Sequence, residues 1–227
     1  MEVSTVFHLG PVAVTVPVVT TWAIMLVLVA LSWLLTRNLK EDPGHGQAVL
    51  EGVVGAMDRA VRDVLPNAAA QVLPFIATLW IFIVVANLVG IIPGLNSPTG
   101  VLSTTAALAI LVFLSVHWFG IRSEGLKAYL GHYLEPTPLL LPFHLMSEVT
   151  RTVTLAVRLF GNIMSLEMAV LLVLLVAGFL VPVPLLVLHV IEALIQAYIF
   201  GMLALIYIAG AIHSQQRSQS KMRDNHA

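Results

Sequence analysis

The sequence predicts an all-α, polytopic membrane protein with about five membrane helices and one amphipathic surface helix. Three observations carry that prediction. Of 227 residues, 59% are hydrophobic and only 10% are charged, and the mean hydropathy of +0.95 lies far outside the range of soluble domains. Apolar runs of roughly 20 residues recur, each able to cross a bilayer as a helix that satisfies its own backbone. Basic residues follow alternate runs, as expected of cytoplasmic ends. The formal net charge of −1 offers nucleic acid no electrostatic hold. The absence of cysteine removes disulfides, iron–sulfur ligation and thiol chemistry together.

We read residues 1–227 as a single membrane domain. Residues 1–19 form an N-terminus outside the membrane; Met1 to Pro17 contains Glu2 and His8 but no basic segment, so it reads as mature chain and not as a cleaved leader. The first span covers 20–36 and is followed at once by Arg37 and Lys40, which sets that end in the cytoplasm. Residues 37–70 are a cytoplasmic segment in which Val49, Val53, Met57, Val61 and Leu65 recur every fourth position, the pattern of a surface amphipathic helix or of a partly buried ordinary one. A helical hairpin follows over 71–121, its two arms joined outside by "NLVGIIPGLNSPTG", which reads as a turn. Arg122 and Lys127 then open a cytoplasmic linker, 122–142. The second hairpin, 143–213, turns at "VPVP", and the polar tail 214–227 is expected frayed and cytoplasmic.

The first arm of that hairpin is too long to stand upright. From Phe143 to Val181 no proline interrupts it, and about 38 residues of helix would reach roughly 57 Å, against roughly 30 Å of hydrocarbon. A continuous, tilted helix held by a neighbour is the expectation. Near its centre stands Arg158, where a charge costs at least about 2.5–3.5 kcal/mol. Arg151, Thr154, Arg158, Asn162 and Ser165 fall on one helical stripe. Glu167 projects from the opposite face, and Glu148, three residues before Arg151, is the expected partner of that arginine. The last helix has a stripe of its own in His189, Glu192, Gln196 and Tyr207. Two polar lines on antiparallel helices form the walls of a hydrated path.

Two segments carry a resemblance. "TLAVRLFGNIMSLEM" followed by "LHVIEALIQAYIFGMLALIYI" resembles the closing hairpin of subunit a of the F-type ATP synthase membrane sector, and "ANLVGIIPG" with "PTG" and "STTAALA" is similar to its second and third spans. The resemblance covers about residues 71–213. It implies a stator for a rotary motor, with the closing hairpin packed against a partner ring of c subunits and two half-channels carrying H+ or Na+ to and from the ring carboxylates. Arg158 matches the family's essential arginine, which separates the half-channels; Glu167, His189, Gln196 and Asn162 match positions along the path or beside the arginine. Glu192 is added from helical geometry, one turn from His189. Thr154 occupies a position where small hydroxyl residues allow close approach. The resemblance further implies b-type peripheral stalk subunits, an ATPase head on other chains, no cofactor or metal, no catalysis by this chain alone, and the bacterial cell (inner) membrane. Ser165 and Leu166 stand where the family usually has Ala-Gly, and with Arg151 and the short N-terminus they point to a divergent, N-type bacterial branch.

Plainer roles compete for several of these residues. Glu167 and Glu192 suit protonated acids bonded between helices, His189 suits packing, and Gln196 suits a helix bridge. A secondary ion-coupled transporter is the rival function, but such folds show related halves with interrupted helices, and no internal repeat occurs here. A haem-binding subunit needs paired axial ligands on facing spans, for which only His117 and His189 offer themselves. ATP hydrolysis by this chain is excluded by the lack of a Gly-rich loop ending in Lys-Ser/Thr.

Overall fold

The computed structural model describes residues 5–9, 12–37, 44–92, 97–125, 141–177 and 183–224. Most of the 122–142 linker, the first half of the "VPVP" turn and part of "GLNSPTG" lie outside the described residues. The chain opens with an antiparallel hairpin of β1, Thr5–Leu9, and β2, Val12–Thr15, with Leu9 paired to Val12. The sequence reading assigned no structure there. β-branched residues on both arms suit extended backbone.

Helix α1, Val16–Thr36, carries Pro17 in its first turn, where the missing amide hydrogen breaks no helical bond. It leans on α3; only Pro17 and Ile24 are buried along it, and Leu26 and Val29 are among its exposed residues. Helix α2, His45–Val64, is the amphipathic one. Its Val61 and the following Leu65 are fully buried and Met57 packs beside them, against α3, Ala69–Val89, while Val49 and Val53 stay exposed. The apolar stripe thus docks only in its second half. On its outer side Arg62 Nε donates to Asp58 Oδ2 at 2.6 Å.

A short 3-10 turn, Pro98–Gly100, leads into α4, Leu102–Glu124. Helix α5, Leu141–Ala177, is continuous for 37 residues, and α6, Val183–Asp224, for 42. The polar tail expected to fray continues as helix to Asp224, because no Gly or Pro interrupts its helix-tolerant residues. Five helices are long and apolar enough to cross a membrane: α1, α3, α4, α5 and α6. The membrane region is all-helical.

Packing separates the two closing helices more than their hairpin connection suggests. Helix α5 lies mainly along α4, whereas α6 lies mainly along α3 and α4, and direct α5–α6 contact is the lesser. The core between them is built from Ile76, Ile83, Leu155, Leu159, Phe200 and Leu205, all fully buried. Where α3 crosses α6, the Trp80 ring lies over Gly201 so closely that a Cβ there would overlap the indole. Trp80 Nε1 donates to the Tyr198 carbonyl at 3.3 Å and its ring stacks on Tyr198. A single missing side chain therefore sets how near α3 and α6 approach.

Candidate functional site

Helix α5 has two faces of opposite character. Leu155, Leu159, Ile163 and Leu166 follow helical spacing and are buried in the bundle. The other face exposes Arg151, Thr154, Arg158 and Ser165 among Val153, Val157, Leu171 and Leu172. Among the described residues no acceptor pairs with Arg158. A permanent cation thus stands exposed near mid-span, where its burden in lipid is largest.

One turn after Arg158, Asn162 leaves the stripe and points to α6. Its Nδ2 donates to Gln196 Oε1 at 2.7 Å. Gln196 is 3% exposed, and its Nε2 is buried without a partner among the described residues. The amide pair therefore joins the two polar helices at the level of the arginine and still has one donor to give.

Past Arg158 toward the α5 C-terminus, Glu167 enters a polar nest that the sequence alone did not assemble. Gly90 and Gly100 make room for it: a Cβ on Gly100 would lie 3.0 Å from Oε2, and one on Gly90 would lie 3.2 Å from Oε1. The Ser97 main-chain amide lies against the carboxyl, while Oε1 is buried with no hydrogen-bond partner among the described residues. Behind it the bonds continue inward. Ser97 Oγ donates to the Ala86 carbonyl at 2.9 Å and lies 2.6 Å from Thr99 Oγ1, which donates to Asn87 Oδ1 at 2.7 Å. Asn87 Nδ2 reaches the Ala193 carbonyl at 3.4 Å, and His189 Nε2 donates to the Asn87 carbonyl at 3.1 Å. His189 is 2% exposed. Glu167, Ser97, Thr99, Asn87 and His189 thus form a continuous polar cluster linking α5, the 3-10 turn, α3 and α6.

Three of these residues were missed from sequence. "GLNSPTG" reads as a turn, and Asn87 stands in an otherwise apolar run. The usable signal was the clustering of Asn87, Ser97 and Thr99 within one connection of a membrane protein, where polar side chains at depth need partners.

At the opposite end of α5 the expected Glu148–Arg151 pair does not form. Glu148 Oε2 faces His117 Nε2 of α4 at 3.5 Å, and the Arg151 guanidinium lies 5.4 Å over the Tyr207 ring of α6. The flat cation gains from the ring's electron-rich face, and the carboxylate instead joins two helices. Glu192 is half-buried on α6. Among the described residues no three His, Asp or Glu side chains gather to hold a metal ion.

Five spanning helices around buried polar groups define a multi-pass membrane protein. Residues 18–209 match the family model described as ATP synthase A chain. The chain is 62% identical to "ATP synthase subunit a 2" of Pelobacter propionicus over 94% of each chain. It is also 62% identical to "ATP synthase subunit a 1" of Hahella chejuensis, over 94% of this chain and 90% of the relative, and 58% identical to "ATP synthase subunit a" of Legionella pneumophila, over 92% of each. The chain belongs to the F-type ATP synthase subunit a family. It is accordingly a membrane-sector subunit that works among the other membrane-sector subunits of an ATP synthase.

Proposed function

We propose that this chain is the ion-conducting stator of a rotary ATP synthase, offering H+ or Na+ two half-channels to and from the carboxylates of a c-subunit ring, with Arg158 between them. The observation that carries the reading is Arg158 itself, exposed near mid-span and without an acceptor among the described residues. An arginine suits the task because it stays protonated and engages a carboxylate bidentately. Each passing ring carboxylate supplies the missing anion, gives up its ion beside the guanidinium, and is prevented from leaking that ion directly across. Glu167 and His189, with the Ser97–Thr99–Asn87 cluster behind them, serve one half-channel; Asn162 and Gln196 orient the arginine's surroundings. Glu192, Thr154 and Ser165 border the path, and Arg151 with Tyr207 lies at its other end.

In this reading the N-terminus lies outside and the C-terminus in the cytoplasm of a bacterial inner membrane, because Arg37, Arg122 and Arg217 all follow the same ends of spans. ATP chemistry belongs to other subunits, joined through b-type stalk subunits. The test uses the whole complex in inverted membrane vesicles. With Arg158→Ala, ATP-driven ion uptake is lost from an assembled complex, and the ion whose uptake disappears is the one transported. Normal uptake with that substitution overturns the reading.

A further inference from the structure

Glu148 and Glu167 flank Arg158 on α5 at nearly equal separations, ten and nine residues away, or roughly 15 Å and 13 Å along the helix. Glu167 has its polar nest. At the other end the structure places the His117 imidazole against Glu148. His117 Nδ1 lies 2.9 Å from the Phe113 carbonyl. A carbonyl only accepts, so Nδ1 carries hydrogen and Nε2 is the nitrogen left to face the carboxyl. Nε2 in turn faces Glu148 Oε2 at 3.5 Å. The Phe113 ring packs on the imidazole, 4.3 Å between centroids, and holds its orientation. Both side chains remain partly accessible, at 27% and 21%, in a pair held between two helices.

We infer that His117 and Glu148 together form the proton-exchange site of the half-channel opposite Glu167. This inference rests on the stator reading above. A proton arriving from the ring side is taken up by the imidazole–carboxylate form, giving the one-proton pair, and leaves it to bulk water at the α4 end, restoring that form; the reverse order serves the reverse direction of rotation. Nδ1 keeps its hydrogen on Phe113 throughout. The described charged or titratable side chains at this end are Arg122 beyond His117 on α4, Arg151 on α5 and Tyr207 on α6. Arg151 is turned over Tyr207.

The experiment measures ATP-driven proton uptake from about pH 6 to 9, in vesicles holding the whole complex, with assembly quantified. Glu148→Gln and His117→Gln lower uptake about tenfold and flatten its pH profile, whereas Glu148→Asp keeps at least about half of it. A merely structural pair responds differently: assembly falls while the pH profile of the surviving complex is unchanged, and that result overturns the inference. His117→Asn keeps a donor for Phe113 but no exchangeable site, so it carries the test where Glu148→Gln does not assemble. Normal uptake in these variants beside lost uptake in Arg158→Ala overturns the inference alone, whereas normal uptake in Arg158→Ala overturns the stator reading from which it starts. Uptake carried by sodium and indifferent to the pair overturns the inference as well.

Discussion

Asn162 donates its side-chain amide to Gln196 Oε1 at 2.7 Å, joining α5 to α6 one helical turn beyond Arg158. Direct contact between these helices is otherwise limited, so a single polar bond sets their register at the level of the arginine. Gln196→Leu removes the acceptor and leaves the Asn162 donor unmatched. Hydrogen bonds between membrane helices are worth about 0.6–1.7 kcal/mol, so pumping by the assembled complex is expected to fall roughly threefold to fifteenfold. The double variant with Asn162→Leu should lose little more than either single one; additive losses would show that the two amides act separately.

The carboxyl of Glu167 occupies space left by two glycines. Gly100→Ala places a Cβ 3.0 Å from Oε2 and must displace the carboxylate from its nest. Ion uptake should fall several-fold while the complex still assembles. The matching control is Gly52→Ala on α2, where a Cβ meets nothing within 4 Å and helix propensity alone gains about 0.5–1 kcal/mol. Uptake unchanged by Gly100→Ala would remove Glu167 from the conducting path.

Thr99 Oγ1 bridges Ser97 and Asn87 in a site sealed from solvent. Thr99→Val keeps the shape and deletes the donor, leaving Asn87 Oδ1 without its hydrogen bond, at about 1–3 kcal/mol. The detergent-solubilised complex should melt several degrees lower, with Thr99→Ser close to wild type. Equal melting of the Val and Ser variants would mean that packing, and not the bond, holds the turn.

At Gly201 the Trp80 ring of α3 packs directly against α6. Gly201→Ala drives a methyl into the Trp80 indole, and overpacking of this kind costs about 1–3 kcal/mol. Less of the subunit should be retained in the membrane, and Trp80→Leu in the same chain should recover part of the loss. No recovery would place the defect elsewhere on α6.

Much of the architecture is legible because lipid is an unforgiving solvent. Apolar length alone marks the spanning helices, and an unbroken Phe143–Val181 run already implies the continuous α5. The N-terminal hairpin is not legible in the same way: nine residues of strand in a Val-rich stretch read equally well as the lead-in to a membrane helix. Helix α2 shows how far periodicity reaches. Its stripe is plain in sequence, but whether Val49 or Val61 finds a neighbour depends on where α3 and α6 lie.

For the site, sequence by itself determined that Arg158, Asn162 and Glu167 share one long apolar helix and that His189 and Gln196 share another, because helical periodicity orders residues around a single axis. It could not determine which residue meets which across helices. Periodicity put Glu148 within reach of Arg151, yet packing gave Glu148 to His117 and Arg151 to Tyr207. It also left Ser97 and Thr99 in a turn, where the fold closes them over Asn87 and brings Glu167 alongside. Such pairings depend on how far each helix rotates and how closely it approaches its neighbours. In this chain that is decided by small residues such as Gly100 and Gly201, whose effect appears only once the helices are packed.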